Sequence, residues 1–182
     1  MKVRVLVVVD MQKDFVDGAL GSPEAQAIVP NVAAKVKEYA EMNNSVILYT
    51  RDTHPDQYLE TFEGKHLPVT HCVHNTEGWE IIPEVYVDVG NTDVVDKFTF
   101  GYYDIAGMIN RSCLYHYETY EVESLEVCGL CTDICVISNV LIIKASYDDV
   151  PIIVDSKCCA GVTPAKHEAA LEVMRSCQVE VL

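Results

Sequence analysis

Short runs of apolar, largely β-branched residues recur along the chain with amphipathic stretches between them, and this alternation leaves few folds open. The runs place strands at Val3 to Val9, Ser45 to Thr50, Asp93 to Lys97, Ser124 to Gly129, Pro151 to Val154 and Val179 to Leu182. Helices are expected at Ile28 to Met42, where Val32, Val36 and Tyr39 recur at helical spacing, and at Ile105 to Tyr117, Thr132 to Tyr147 and Pro164 to Cys177. Thr163 is the expected N-cap of the last helix, with Pro164 at its first position, where a missing N–H costs nothing. The order is mainly βαβ. Strands that read as near-continuous apolar runs are buried on both faces, so the expected fold is α/β: a three-layer αβα domain around a doubly wound, mainly parallel sheet.

A chain of 182 residues fits a single domain, 1–182, with no linker or internal repeat. A formal charge of -15 excludes a sequence-independent grip on phosphate backbones, so nucleic acid is not an expected partner. No apolar run is long enough to suggest a membrane span. The run Val5 to Val9 is short and closed by Asp10, unlike a secretory segment, and a cytoplasmic location is expected. The eight cysteines then read as reduced thiols, most of them small core residues.

In an open parallel sheet, ligands sit beyond the carboxyl ends of the strands. Asp10 ends the first strand, Asp52 the second and Lys97 the third, and the turn Cys131 to Cys135 comes after the fourth. Cys135 opens an apolar helix, where the positive end of the helix dipole is expected to lower its thiol pKa. Singly, each residue has a structural reading: Asp10 as a cap, Lys97 as a solvated charge, Cys135 as a core thiol, Cys131 with Cys135 as half a metal site. Together at one rim they read as a base, a cation and a nucleophile.

Five segments, in order, carry a resemblance: Val7-Val8-Val9-Asp10-Met11-Gln12-Lys13-Asp14-Phe15, Thr50-Arg51-Asp52-Thr53-His54-Pro55, His71 to Glu80, Asp96-Lys97-Phe98, and Cys131-Thr132-Asp133-Ile134-Cys135-Val136. The set resembles the isochorismatase-like cysteine hydrolases, and among them the nicotinamidases and pyrazinamidases, over nearly the whole chain. The resemblance implies a catalytic triad of Asp10, Lys97 and Cys135, with the backbone N–H groups of Cys131 and Cys135 as an oxyanion hole and a cis peptide at Leu130-Cys131. It implies hydrolysis of nicotinamide to nicotinate and ammonia through a cysteine thioester, in NAD salvage, by a homo-oligomer. The nearest rival keeps the triad and hydrolyses another small amide, such as a ureido or carbamoyl compound. A non-enzymatic binding protein on the same sheet is the remaining alternative, and it leaves the acid, cation and thiol unexplained.

Asp52 and His54 lie on one side of an extended segment, and His71 can close a metal site with them, Glu63 being a further ligand by spacing and Glu60 a weaker one. Nitrogen and oxygen donors suit a divalent metal, Zn²⁺ in the first place and Fe²⁺ or Mn²⁺ otherwise. Phe15, Trp79, Tyr102 and Tyr103 are the candidate aromatic walls for a pyridine ring. Where the resembling family places an aromatic residue before the metal-binding histidine, Leu67-Pro68-Val69-Thr70 stands here. His116 and His167 are read as surface residues on helices, and His66 and His74 take no role.

Overall fold

The computed structural model describes residues 1–182, and its core is a sheet of six strands: β1 (Lys2–Val9), β2 (Ser45–Asp52), β3 (Thr92–Lys97), β4 (Glu121–Leu130), β5 (Ile152–Ala160) and β6 (Glu180–Val181). Their spatial order is β3-β2-β1-β4-β5-β6, and every neighbouring pair is parallel. The expected mainly parallel sheet is thus wholly parallel. The chain winds outward from β1 in one direction and from β4 in the other, so the crevice between those two strands is the switch point where ligands collect. Val5 to Val9 and Val46 to Tyr49 are fully buried, as strands covered on both faces must be.

Helix α1 (Lys13–Val16) is a single turn after β1, and α2 (Pro23–Ala40) covers one face of the sheet, alone. On the other face α4 (Ile105–His116), α5 (Ile137–Ser146) and α6 (Pro164–Ser176) pack side by side, as right-handed crossovers require. Thr163 caps α6 through its hydroxyl, which accepts from the Lys166 N–H at 3.2 Å. Helix α2 begins five residues before its expected start, because Ser22 accepts from the Ala25 N–H at 3.0 Å and Pro23 sits at the first position. The apolar spacing becomes regular only at Ile28, so the cap rather than the periodicity marks that end. The expected helix Thr132 to Tyr147 is two pieces, a π-helical turn at Thr132–Val136 and then α5. Strand β5 runs six residues past its expected end; the polar Asp155-Ser156-Lys157 interrupts the apolar pattern, but Asp155 is neutralised by Lys35 of α2 at 3.3 Å. No helix is long and apolar enough to cross a membrane.

The irregular segment between β2 and β3 folds back over the strand ends. It carries α3 (Phe62–His66) and two short 3₁₀ turns, and is tied down by isolated bridges between His54 and Val73 and between Gln12 and Ile81. Register brings the strand ends level: Val9 pairs with both Thr50 and Gly129, and Asp52 pairs with Lys97, so β1, β2, β3 and β4 end at one rim.

Gly129 holds this alignment at the switch point. Its φ is +118°, and a Cβ there would collide with the Val9 carbonyl. Gly90 also has a positive φ, +84°, but faces open space. Gly129→Ala is expected to cost about 3 kcal/mol or more and Gly90→Ala about 1 kcal/mol, read from urea midpoints at constant m. Equal costs would mean that φ alone, and not the close approach of β1, constrains Gly129.

Candidate active site

Asp10 comes directly after β1 in the left-handed region, with a φ of 48°, a conformation that a non-glycine residue adopts only when its surroundings enforce it. Thr50 supplies part of that enforcement. Its carbonyl accepts from the Asp10 N–H at 3.2 Å, and its hydroxyl donates to Asp10 Oδ1 at 2.7 Å. Lys97, at the end of edge strand β3, reaches past β2 to Asp10 Oδ2 at 2.7 Å, and its Nζ lies 3.5 Å from Cys135 Sγ. All three groups are buried. Asp10, Lys97 and Cys135, expected at separate strand ends, do meet at one place.

The turn from Cys131 to Cys135 is anchored from three sides. The Leu130-Cys131 peptide is cis, as the resemblance implies. Thr132 Oγ1 and His167 Nδ1 are 2.8 Å apart, so His167, expected on the surface, is a half-buried strut from α6. Asp133 Oδ1 accepts from the Val162 N–H at 2.9 Å, tying the turn to the loop before α6. Asn139 Nδ2 donates to the Cys135 carbonyl at 2.9 Å. His116 is likewise drawn inward, its Nε2 being 3.8 Å from Asp93.

Beside this group stand the four donors Asp52, His54, Glu63 and His71, whose ligand atoms all lie within 4.8 Å of one another. Asp52 belongs to both clusters: Oδ1 is 3.3 Å from Lys97 Nζ, and Oδ2 is 3.0 Å from His54 Nε2. Glu63 Oε1 is 3.7 Å from His54 Nε2 and 3.8 Å from His71 Nε2, whereas Glu60 is not in the cluster. His71 Nδ1 lies 2.8 Å from the Val69 carbonyl, an arrangement in which Nδ1 carries the proton and Nε2 keeps its lone pair for a metal. Burial and then the charge of Asp52 raise the Glu63 pKa, a crowding of anions that a divalent cation would relieve. The donor set therefore fits a divalent metal. Gln12 fixes the backbone beneath it, accepting from the Asp52 N–H at 2.7 Å and donating to the Asp52 and Trp79 carbonyls at 2.9 and 2.8 Å.

A cavity of about 610 Å³ opens onto Cys135 and the donor cluster. Phe15 lines it, its ring edge-on to His71 at 5.4 Å between centroids. The other aromatic candidates do not. Trp79 is buried behind the site, where its Nε1–H donates to Thr53 at 2.8 Å and Arg51 lies 3.6 Å over its ring. Tyr102 packs against the core, and Tyr103, 85% exposed, projects into solvent. Phe100, from the same loop, lines the cavity instead, with Leu67 and His66 at the α3 side. Alternate residues of a tight loop point to different sides, and composition alone does not separate them. Thr50, Gln12 and Asn139 were not singled out from the sequence; a lone amide inside an apolar helix is the signal that Asn139 offered.

The family model for the isochorismatase domain matches residues 4–182, and the chain belongs to the isochorismatase family. It is 28% identical over 194 residues to the nicotinamidase of Escherichia coli strain K12, covering 93% of this chain and 89% of that one. Its fold matches the pyrazinamidase of Pyrococcus horikoshii in complex with zinc, with a TM-score of 0.80, 27% identity and 98% of each chain covered. It also matches N-carbamoylsarcosine amidase from Thermoplasma acidophilum, with a TM-score of 0.75, 25% identity, and 98% and 95% of the two chains covered.

The thiol pKa is not lowered, contrary to the expectation from its place at a helix start. Burial pushes the Cys135 pKa well above its ordinary value; Lys97 pulls it down, but Asp10 and Asp52 push it up again. Lys97 stays charged because Asp10 and Asp52 outweigh the burial that opposes its charge. The resting state is therefore an Asp10–Lys97 ion pair beside a neutral thiol. Above its pKa a thiol becomes thiolate, so iodoacetamide modification of Cys135, monitored by peptide mass, is expected to keep accelerating as pH passes about 9. A plateau below pH 8 would reveal a preformed thiolate and sink this assignment.

Proposed function

We propose that this isochorismatase-family protein is a cysteine amidohydrolase that converts nicotinamide to nicotinate and ammonia, in NAD salvage, with pyrazinamide accepted as an analogue. The observation that supports the reading is the contact of Lys97 with Asp10, Asp52 and Cys135 at once, behind a cavity that Cys135, Asp52, Glu63 and His71 line. The similarity to the Escherichia coli nicotinamidase supports the substrate class.

In the proposed reaction Cys135 Sγ attacks the carboxamide carbon as its proton passes to Asp10, which accepts it more readily because burial raises its pKa against the pull of Lys97. Transfer inside the step removes any need for a standing thiolate. Charge that develops on the carbonyl oxygen would be met by the N–H groups of Cys131 and Cys135. Asp10 then returns the proton to the departing nitrogen, ammonia leaves, and a thioester remains on Cys135. Water, deprotonated by Asp10, hydrolyses that thioester to the carboxylic acid and the free thiol. Lys97 keeps its proton throughout and compensates the negative charge as it moves from Asp10 to the reacting atoms. Asp52, His54, His71 and Glu63 would hold the divalent metal, in the first place Zn²⁺, which supplies an anchor for a heteroaromatic nitrogen and Lewis acidity.

A second reading, hydrolysis of a small ureido or carbamoyl compound, is favoured by one feature: no aromatic residue stands at Leu67 to Thr70, immediately before His71. Ammonia release across an amide panel separates the two. Nicotinamide and pyrazinamide are expected to be turned over, with Cys135→Ala reducing the rate at least about 10⁴-fold at unchanged circular dichroism. Release from ureido substrates alone would select the rival.

The metal cluster has its own test. His54→Ala is expected to lose most bound metal, measured by elemental analysis after dialysis, and to raise the KM for nicotinamide more than it lowers kcat. Full metal retention in that variant would remove His54 from the ligand set.

A further inference from the structure

The loop from Lys97 to α4 brings Phe100 to the cavity, and one buried side chain fixes its course. Asn139 lies in the first turn of α5 and is fully buried. Its amide is shared between two segments. Nδ2 donates to the Cys135 carbonyl at 2.9 Å and to the Phe100 carbonyl at 3.3 Å, while Oδ1 accepts from the Tyr102 N–H at 2.9 Å. Two carbonyls on one side and one N–H on the other fix which way the amide points.

A second set of contacts supports the same loop. Gly101 presses on α5 so closely that an added Cβ would lie 2.7 Å from Ile142 Cδ1, and Thr99 donates to the Gly101 carbonyl at 2.7 Å. Phe100 is therefore presented at the cavity by a braced backbone although the residue is 46% exposed. An exposed aromatic ring on a fixed loop, opening onto the same cavity as Phe15, offers a flat apolar face to a flat ligand.

We propose that Phe100 is the specificity-determining wall of the cavity, selecting planar aromatic amides over linear ureido and carbamoyl ones, and that Asn139 positions this wall relative to Cys135. The inference rests on the reading of Cys135 as the nucleophile, but not on turnover of nicotinamide. Losing the Asn139 amide frees the loop and the Cys135 carbonyl together, so one substitution reaches both ring affinity and thiol reactivity.

Protection of Cys135 from iodoacetamide by nicotinamide and by benzamide reads ring affinity whether or not either amide is turned over. Phe100→Ala is expected to weaken protection by both about tenfold, and Phe100→Tyr to restore most of it. Asn139→Ala is expected to weaken protection to a similar degree and to change the unprotected alkylation rate at least about threefold. The double variant is expected to be no weaker than Asn139→Ala, because both changes remove the same wall. Asn139→Ser is read in the same way where Asn139→Ala does not fold. Additive losses, unchanged protection in Phe100→Ala, or protection of the unaltered protein by N-carbamoylglycine as strong as by benzamide would each overturn the proposal. Ring protection without ammonia release would overturn the proposed reaction and leave the wall standing; ammonia release with unaltered protection in Phe100→Ala would overturn the wall alone.

Discussion

A fully buried ammonium organises this molecule. Lys97 is removed from water at a cost of several kcal/mol, and that cost is offset only while Asp10 and Asp52 remain at 2.7 and 3.3 Å. Packing three apolar side chains into the same volume would stabilise the fold at least as well. The ions are therefore better explained by what they do than by what they hold together. Burial, with Asp10 and Asp52 nearby, keeps the Cys135 thiol neutral at rest, while the Lys97 ammonium 3.5 Å away pulls towards the thiolate.

Asp52 joins the Asp10, Lys97 and Cys135 group to the four-donor cluster, since one oxygen faces Lys97 and the other faces His54. That arrangement depends on register. Asp52 and Lys97 are Cα partners across β2 and β3, and Val9 is partnered by Thr50 and Gly129 on its two sides. A slip of one residue in any of these pairings would turn a reacting side chain to the opposite face of the sheet. The apolar runs buried on both faces of β1 and β2 make such a slip costly, so the core sets the geometry of the chemistry.

This relation explains why so much was legible in the sequence. Strand ends are marked where an apolar run stops at a charge, as at Asp10, Asp52 and Lys97, and a parallel sheet brings such ends to one rim. The donors Asp52, His54, Glu63 and His71 come from the second of those ends and the loop beyond it. What sequence reasoning lost has physical causes of other kinds. The sign of the Cys135 pKa shift depends on burial and on two carboxylates distant in the chain, neither of which a position at a helix start reveals. Trp79 has the composition of a ring wall, but the Arg51 guanidinium over its face and the Thr53 hydroxyl at its Nε1–H commit it elsewhere. The start of α2 was hidden because its first turn buries only Ala25.

The turn from Cys131 to Cys135 is braced by His167, Val162 and Asn139 from three different segments, whereas the cavity mouth is built from Leu67 and Phe100 on connections between elements. Rigid support beneath the reacting atoms and loop-borne residues around the opening divide the labour of the site. The attack, proton transfer and release proposed for Cys135 and Asp10 are common to any primary amide. Discrimination among amides must then come from the rim, where one exposed ring costs the fold little and changes what can lie flat beside Cys135. A change of substrate in such a molecule can proceed through Phe100 and Leu67 while the pairing of Lys97 with its two carboxylates stays fixed.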